Sequence, residues 1–176
     1  VRIAGRPELC RVVVAVDPPA TSTARSDACG IIAAGLDADG TAFVLADASI
    51  RGVRPEVWAG RAIDLYRAEA ADALVVEVNQ GGDMVSAVIR QVDPEIPVRP
   101  VRATRGKWVR AEPVAALYAQ GRVRHAGIFP DLEDEMADFG PGGLSGGRSP
   151  DRLDALVWAL TALMLGGEGP RVRKLG

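Results

Sequence analysis

Two rhythms of apolar and polar residues divide this chain. Residues 12–16, VVVAV, are an unbroken apolar run that stops at Asp17 and the pair Pro18–Pro19. So short a run without alternation predicts a strand covered on both faces. The stretches ACGIIAAGLD and TAFVLADAS, joined by the turn DADG, predict two further strands and hence a three-strand meander with short turns. Val57, Ile63, Leu65 and Tyr66 then recur at helical spacing behind Pro55 and predict a helix over 55–70.

From there strands and helices take turns. ADALVVEVN predicts a central strand, QGGDMVSAVIRQV a helix after its glycines, and IPVRPVRA a strand whose prolines suit an edge or an end. KWVRAEPVAALYAQG predicts a helix closed by Gly121, and FPDLEDEMADF a short acidic helix. GPGGLSGGRS reads as a flexible loop, and PDRLDALVWALTALML as a strongly apolar final helix opened by Pro150. This order predicts an α/β fold, a mixed central β-sheet flanked by helices, with no internal repeat.

Composition narrows the function classes. The length of 176 residues suits one domain, and 48% hydrophobic with 25% charged residues is ordinary for a globular protein. The formal charge of −2 gives no global basic field, so a nucleic acid would have to be held by a local patch. Two cysteines without ligand spacing and a single histidine exclude a zinc site of the Cys/His type and read as reduced thiols. No apolar stretch approaches the roughly 20 residues that span a bilayer, and the opening residues lack the basic, apolar, small-residue order of a signal peptide, so no membrane partner is expected. A first residue Val rather than Met is what a piece of a longer chain would show.

The candidate chemistry lies in carboxylates. Asp17 ends the first strand and Glu77 stands near the end of LVVEVN. If these strands are parallel neighbours, both acids emerge at one end of the sheet, where burial is costly unless a cation compensates it. Asp151 and Asp154, three apart, share a face of the final helix, and Leu153, Leu156, Val157 and Leu160 put Asp154 near the core. Asp151 reads equally as an acid favoured by a helix N-terminus and as a further ligand. Such oxygen donors select Mg²⁺ or Mn²⁺, and two ions roughly 4 Å apart can activate a water and stabilise the leaving oxygen in phosphodiester hydrolysis. No side-chain nucleophile is then required, and the lone His125 reads as a surface or structural residue.

Taken together, VVVAVDPPA, LVVEVNQGGDMV, RGKWVRAEPVAALYAQGRVRHAG, LEDEMADF and SPDRLDALVWALTAL resemble the C-terminal nuclease domain of the large terminase subunit of tailed phages and phage-like gene transfer agents. The resemblance runs from about residue 11 to 165 in the family's order. It implies an RNase H-like fold and a metal-dependent endonuclease that cuts double-stranded DNA during packaging, with Asp17, Glu77 and Asp154 as metal ligands and Asp151 as helper. It further implies an N-terminal ATPase domain in the full-length protein, a small terminase subunit and a portal as partners, and the host cytoplasm as the place of work. Nothing in this chain matches G-x-x-x-x-G-K-[ST], so a nucleotide site is not expected. The domain is expected over 11–166, with 1–10 an extension and 167–176 a disordered tail.

Arg102, Arg105, Lys107 and Arg110, with Arg122 and Arg124, form the candidate DNA-binding set, whose alternative is a solvated face. Gly81 and Gly82 suit either a phosphate approach or a tight turn. The glycine loop is open between a gate that orders on DNA and a plain linker. Arg148 and Arg152 either neutralise phosphate or offset nearby acids. Trp58 and Trp108 read as packing residues rather than base-stacking platforms, and the acidic run as an exposed helical face, whose alternative is a supply of metal ligands. The rivals are a Holliday-junction resolvase of the same fold and a non-catalytic domain that docks on DNA or portal.

Overall fold

The structure, a computed structural model, describes residues 2–19, 28–78 and 83–166. The meander appears as β1 (Arg11–Asp17), β2 (Ala28–Leu36) and β3 (Ala42–Asp47), each antiparallel to the next. In the turn between β2 and β3, Asp37 accepts the amides of Asp39 and Thr41 on Oδ1, and Gly40 takes φ +81°. A two-residue strand β4 (Ile50–Arg51), not legible in the sequence, pairs with β2.

Helix α1 (Pro55–Ala68) leads to β5 (Ala73–Glu77), which lies parallel to β1. Helix α2 (Asp83–Val92) follows, then the edge strand β6 (Val98–Val101), parallel to β5, with Pro100 tolerated there. Helix α3 (Lys107–Ala119) ends before Gly121, which takes φ +69° as expected past a C-terminus. A short strand β7 (Val123–His125), also missed in the sequence, pairs parallel to β3. Its three residues are too few for an alternation to show. Helices α4 (Pro130–Asp138) and α5 (Asp151–Leu160) complete the described elements, α5 continuing as a π-helical turn, Thr161–Leu165. The sheet order is β6-β5-β1-β2-β3-β7.

Helices cover both faces of this sheet. Val12, Val14 and Val16 of β1 pack towards α1 and α2, while Val13 and Ala15 pack towards α3, α4 and α5. A strand buried on both sides has no polar face, which is why β1 reads as continuous valine rather than as alternation. Helix α5 is buried along Leu153–Leu160 because it lies directly on β1 and β2 beneath α3 and α4. Among the described residues no helix is long and apolar enough to cross a membrane.

Residues 2–10, read from the sequence as an extension, are held against the domain. Ile3 N–H donates to the His125 carbonyl, Arg2 pairs with Glu133 at 2.6 Å, and Cys10 N–H donates to the Leu36 carbonyl. The glycine loop between α4 and α5 is anchored rather than a plain connector. Leu144 is buried, and Asp138 accepts both the backbone amide and the hydroxyl of Ser145. Residues 167–176 and Gly81–Gly82 lie outside the described residues.

Candidate active site

Strand pairing brings the first two acids together. Val16 is opposite Val76 in the parallel β1–β5 pair, so the next residues, Asp17 and Glu77, are neighbours at the C-terminal ends of their strands. Strand alternation turns both towards the layer of α5, the side to which Val13, Ala15 and Val75 belong. Asp154 comes from α5 itself, and the three carboxylates are each 4–6% exposed.

The close approach of α5 depends on Gly30. It pairs with Asp17 across β1 and β2, and the first turn of α5 rests on it. A Cβ at Gly30 would collide with the Asp151 carbonyl oxygen, with the carbonyl carbon at 2.6 Å and Ala155 Cβ at 3.0 Å. The glycine therefore lets a helix N-terminus, with Asp151 and Asp154, pass over the sheet beside Asp17. Glu135 of α4 fixes the same end by accepting the Leu153 amide at 3.0 Å. Asp151 sits half-buried at the rim of the cluster.

Around the acids stand two cations and an indole. Trp158 Nε1–H donates to Glu77 Oε2 at 2.9 Å. Arg110 stacks over the Trp158 ring, 4.8 Å from its centroid, and reaches to 3.7 Å from Glu77 Oε1. Lys107, one turn earlier on α3, pairs with Asp154 and donates to Ser149 Oγ at 2.8 Å. Burial raises the Asp17 carboxyl well above the usual range, helped by its hydrogen bond to Glu77 and by the charges of Asp154 and Glu77. Burial also pushes Glu77 up, but hydrogen bonds from Asp17 and Trp158, with the charges of Arg110 and Lys107, outweigh it and hold Glu77 below the usual range. Asp154 is raised by burial against the pull of Lys107, and Lys107 is raised because Asp154 outweighs its own burial.

The donor chemistry of Asp17, Glu77 and Asp154 fits a hard divalent cation: three buried carboxylates that offer oxygen ligands only. Among the described residues no three such groups already form a coordination sphere. Each acid is instead turned to a local partner: Asp154 to Lys107, Glu77 to Trp158, Asp17 to Glu77.

The basic set divides in space. Arg102 and Arg105 are exposed just beyond β6, whose Val101 pairs with Glu77, so they stand at the acidic end of the sheet. Arg110 is turned inward, its side chain 12% exposed, with Nε and Nη1 buried and without hydrogen-bond partners. It is a buried counter-charge rather than an exposed phosphate contact. Arg122 and Arg124 belong to the β7 segment, where Val123 pairs with Ala42 and Ala42 with Leu36, at the opposite end of the sheet from Asp17. Nearness in sequence grouped them with Lys107; the length of a whole helix separates them.

The other candidates have structural partners. Arg152 bonds Asp47 at 3.0 Å and Asp131 at 3.4 Å, which makes it an offset to nearby acids. The acidic helix is not merely exposed, since Glu133, Glu135 and Asp138 each accept a hydrogen bond that joins elements. His125 is buried between Tyr118 Oη at 2.7 Å and Glu133 Oε1 at 3.0 Å, a structural role. Trp58 is core, and Trp108 packs on Phe139. Trp158 escaped the sequence reading, although its position four residues after Asp154 places both on one helix face.

A mixed sheet with helices on both faces, and carboxylates from two central strands and α5 meeting at one end of it, defines an RNase H-like fold with a buried acidic cluster. Residues 14–163 match the family model of the terminase RNase H-like domain, and the chain belongs to that family. Among solved structures it is similar to the large terminase nuclease from thermophilic phage G20c, at TM-score 0.66 and 17% identity, covering 89% of this chain and 83% of that one. That nuclease is also known with bound zinc, magnesium and cobalt. The large terminase of a second thermophilic bacteriophage matches at TM-score 0.68 and 11% identity over 94% of this chain, which spans 42% of that protein. The yeast mitochondrial Holliday junction resolvase matches at TM-score 0.54 and 9% identity, covering 86% of this chain and 77% of that one. Curated protein sequences give no match.

Proposed function

We propose that this terminase nuclease domain is a divalent-metal-dependent endonuclease that hydrolyses phosphodiester bonds of double-stranded DNA during genome packaging. The observation that carries the reading is the convergence of Asp17, Glu77 and Asp154, each buried, at one sheet edge. Asp17, Glu77 and Asp154 hold the metal, Mg²⁺ or Mn²⁺, with Asp151 at the rim. When bound, a pair of such ions supplies an activated water and a charge for the leaving oxygen. The chain's own residues orient and balance: Trp158 fixes one oxygen of Glu77, Arg110 compensates its charge, and Gly30 seats α5. Arg102 and Arg105 approach the DNA backbone from the same edge.

The metal-bound forms of the phage G20c nuclease support the cation class. The second phage's large terminase, of which this chain spans 42%, supports work within a larger protein. There the partners are an N-terminal ATPase domain, a small subunit and a portal, and the setting is the host cytoplasm.

Cleavage of supercoiled plasmid with Mn²⁺, Mg²⁺ or EDTA tests this. Wild type cuts with metal and not with EDTA, while Asp17→Asn and Asp154→Asn each lose about a hundredfold or more of the rate. Metal-independent cutting, or full activity in both variants, would overturn it. The likeness to a junction resolvase favours a second reading, and a four-way junction cut in preference to linear duplex would select it.

A further inference from the structure

The acids of this site are compensated from within, and the two cations that do it are not equivalent. Arg110 is packed on Trp158 with its side chain 12% exposed, so leaving would open the core. Lys107 is 42% exposed and reaches Asp154 from solvent along a flexible four-carbon stem. Its backbone opens α3, whose N-cap is Gly106, a residue with no side chain to cap that end. Asp154, by contrast, is 4% exposed and fixed in α5.

The Lys107 ammonium therefore sits where a cation is wanted, and it holds one of the proposed ligand oxygens. Lys107 and a divalent ion on the same carboxylate would repel each other at short range in a buried setting. We propose that Lys107 is the resident cation of the metal-free site, that metal binding displaces it from Asp154, and that the displaced ammonium becomes a DNA phosphate contact. This inference rests on the metal-dependent reading above. Arg102 and Arg105 stand exposed at this same end of the sheet. Lys107 and metal thus compete for Asp154, while metal and DNA assist one another, each raising the other's affinity by the same factor.

The test is calorimetric titration of Mn²⁺ into the full chain without DNA, with melting curves to verify folding. Lys107→Gln binds Mn²⁺ about tenfold more tightly than wild type, within the ordinary range of coupling between two occupants of one site. Lys107→Arg, which keeps a cation there, stays near wild type. Ser149→Ala removes the second anchor of Lys107 and leaves every charge in place, so it tightens Mn²⁺ binding by about two- to fivefold. It decides the matter if Lys107→Gln does not fold. Unchanged or weaker Mn²⁺ binding in the folded variants overturns the displacement while leaving the metal reading intact. If wild type and all variants bind no Mn²⁺, the metal reading fails and the displacement falls with it.

Discussion

At the scale of single residues, the cost of placing Asp17 in the core is the physical signature of the site. Its carboxyl titrates above the ordinary range because it is buried, hydrogen-bonded to Glu77 and close to other acids. The native state therefore holds this proton more tightly than the unfolded chain does. The corresponding stability is present below the ordinary aspartate range and is lost as pH rises through the raised value. In EDTA, Asp17→Asn is accordingly expected to melt above wild type at pH 8, with the difference closing towards pH 4; equal melting at pH 8 would contradict it. Glu133 behaves oppositely, held at about 2 by its bonds to Arg2 and His125, so its contribution is lost only as pH falls from the ordinary glutamate range. Trp158 acts through Glu77. Trp158→Phe keeps an aromatic ring and removes the N–H donor, and should weaken Mn²⁺ binding roughly tenfold, as loss of a ligand's supporting hydrogen bond commonly does. Calorimetry reads that directly. Asp17, Glu77 and Asp154 were legible because an acid inside an apolar run breaks a local pattern. Trp158 was not, because an indole on an apolar helix breaks none.

Elements meet at the site through backbone proximity. The small residues Ala28, Cys29 and Gly30 open β2, and α5 descends onto the glycine. Gly30→Ala forces the Asp151 backbone away and should cost about 3 kcal/mol, the upper range for overpacking, together with the loss of metal affinity. Urea unfolding and Mn²⁺ titration together check this, and a stable variant with wild-type affinity would show that α5 tolerates the shift. The same helix end relies on Glu135, whose carboxylate takes the Leu153 amide; Glu135→Ala should cost about 1 kcal/mol, as lost N-terminal caps do. The sequence showed α4 as an acidic run and could not show that its acids tie α4 to α5, β7 and the glycine loop. Those partners lie on other elements, out of reach of any helical period.

For the whole molecule, the sheet has two ends of different character. The end at Asp17 and Glu77 carries the acids, with Arg102 and Arg105 beside them. Arg122 and Arg124 stand at the other end. The proposed DNA contact predicts that Arg102→Ala with Arg105→Ala weakens duplex binding and flattens its salt dependence by about two phosphate contacts. The pair Arg122→Ala with Arg124→Ala should change either by much less. Anisotropy titrations across a salt series separate the two, and equal losses would place DNA over both ends.

By itself the sequence determined the helices and all strands but β4 and β7, that the sheet is mixed, and which three acids are misplaced for a simple core. These are local properties, set by side-chain periodicity, turn chemistry and the cost of a buried charge. Strand order, the turning of Arg110 inward, the seat of α5 on Gly30 and the pairing of Lys107 with Asp154 were decided only by the tertiary structure. Each joins residues far apart along the chain, and no local period encodes which distant surfaces will close on one another.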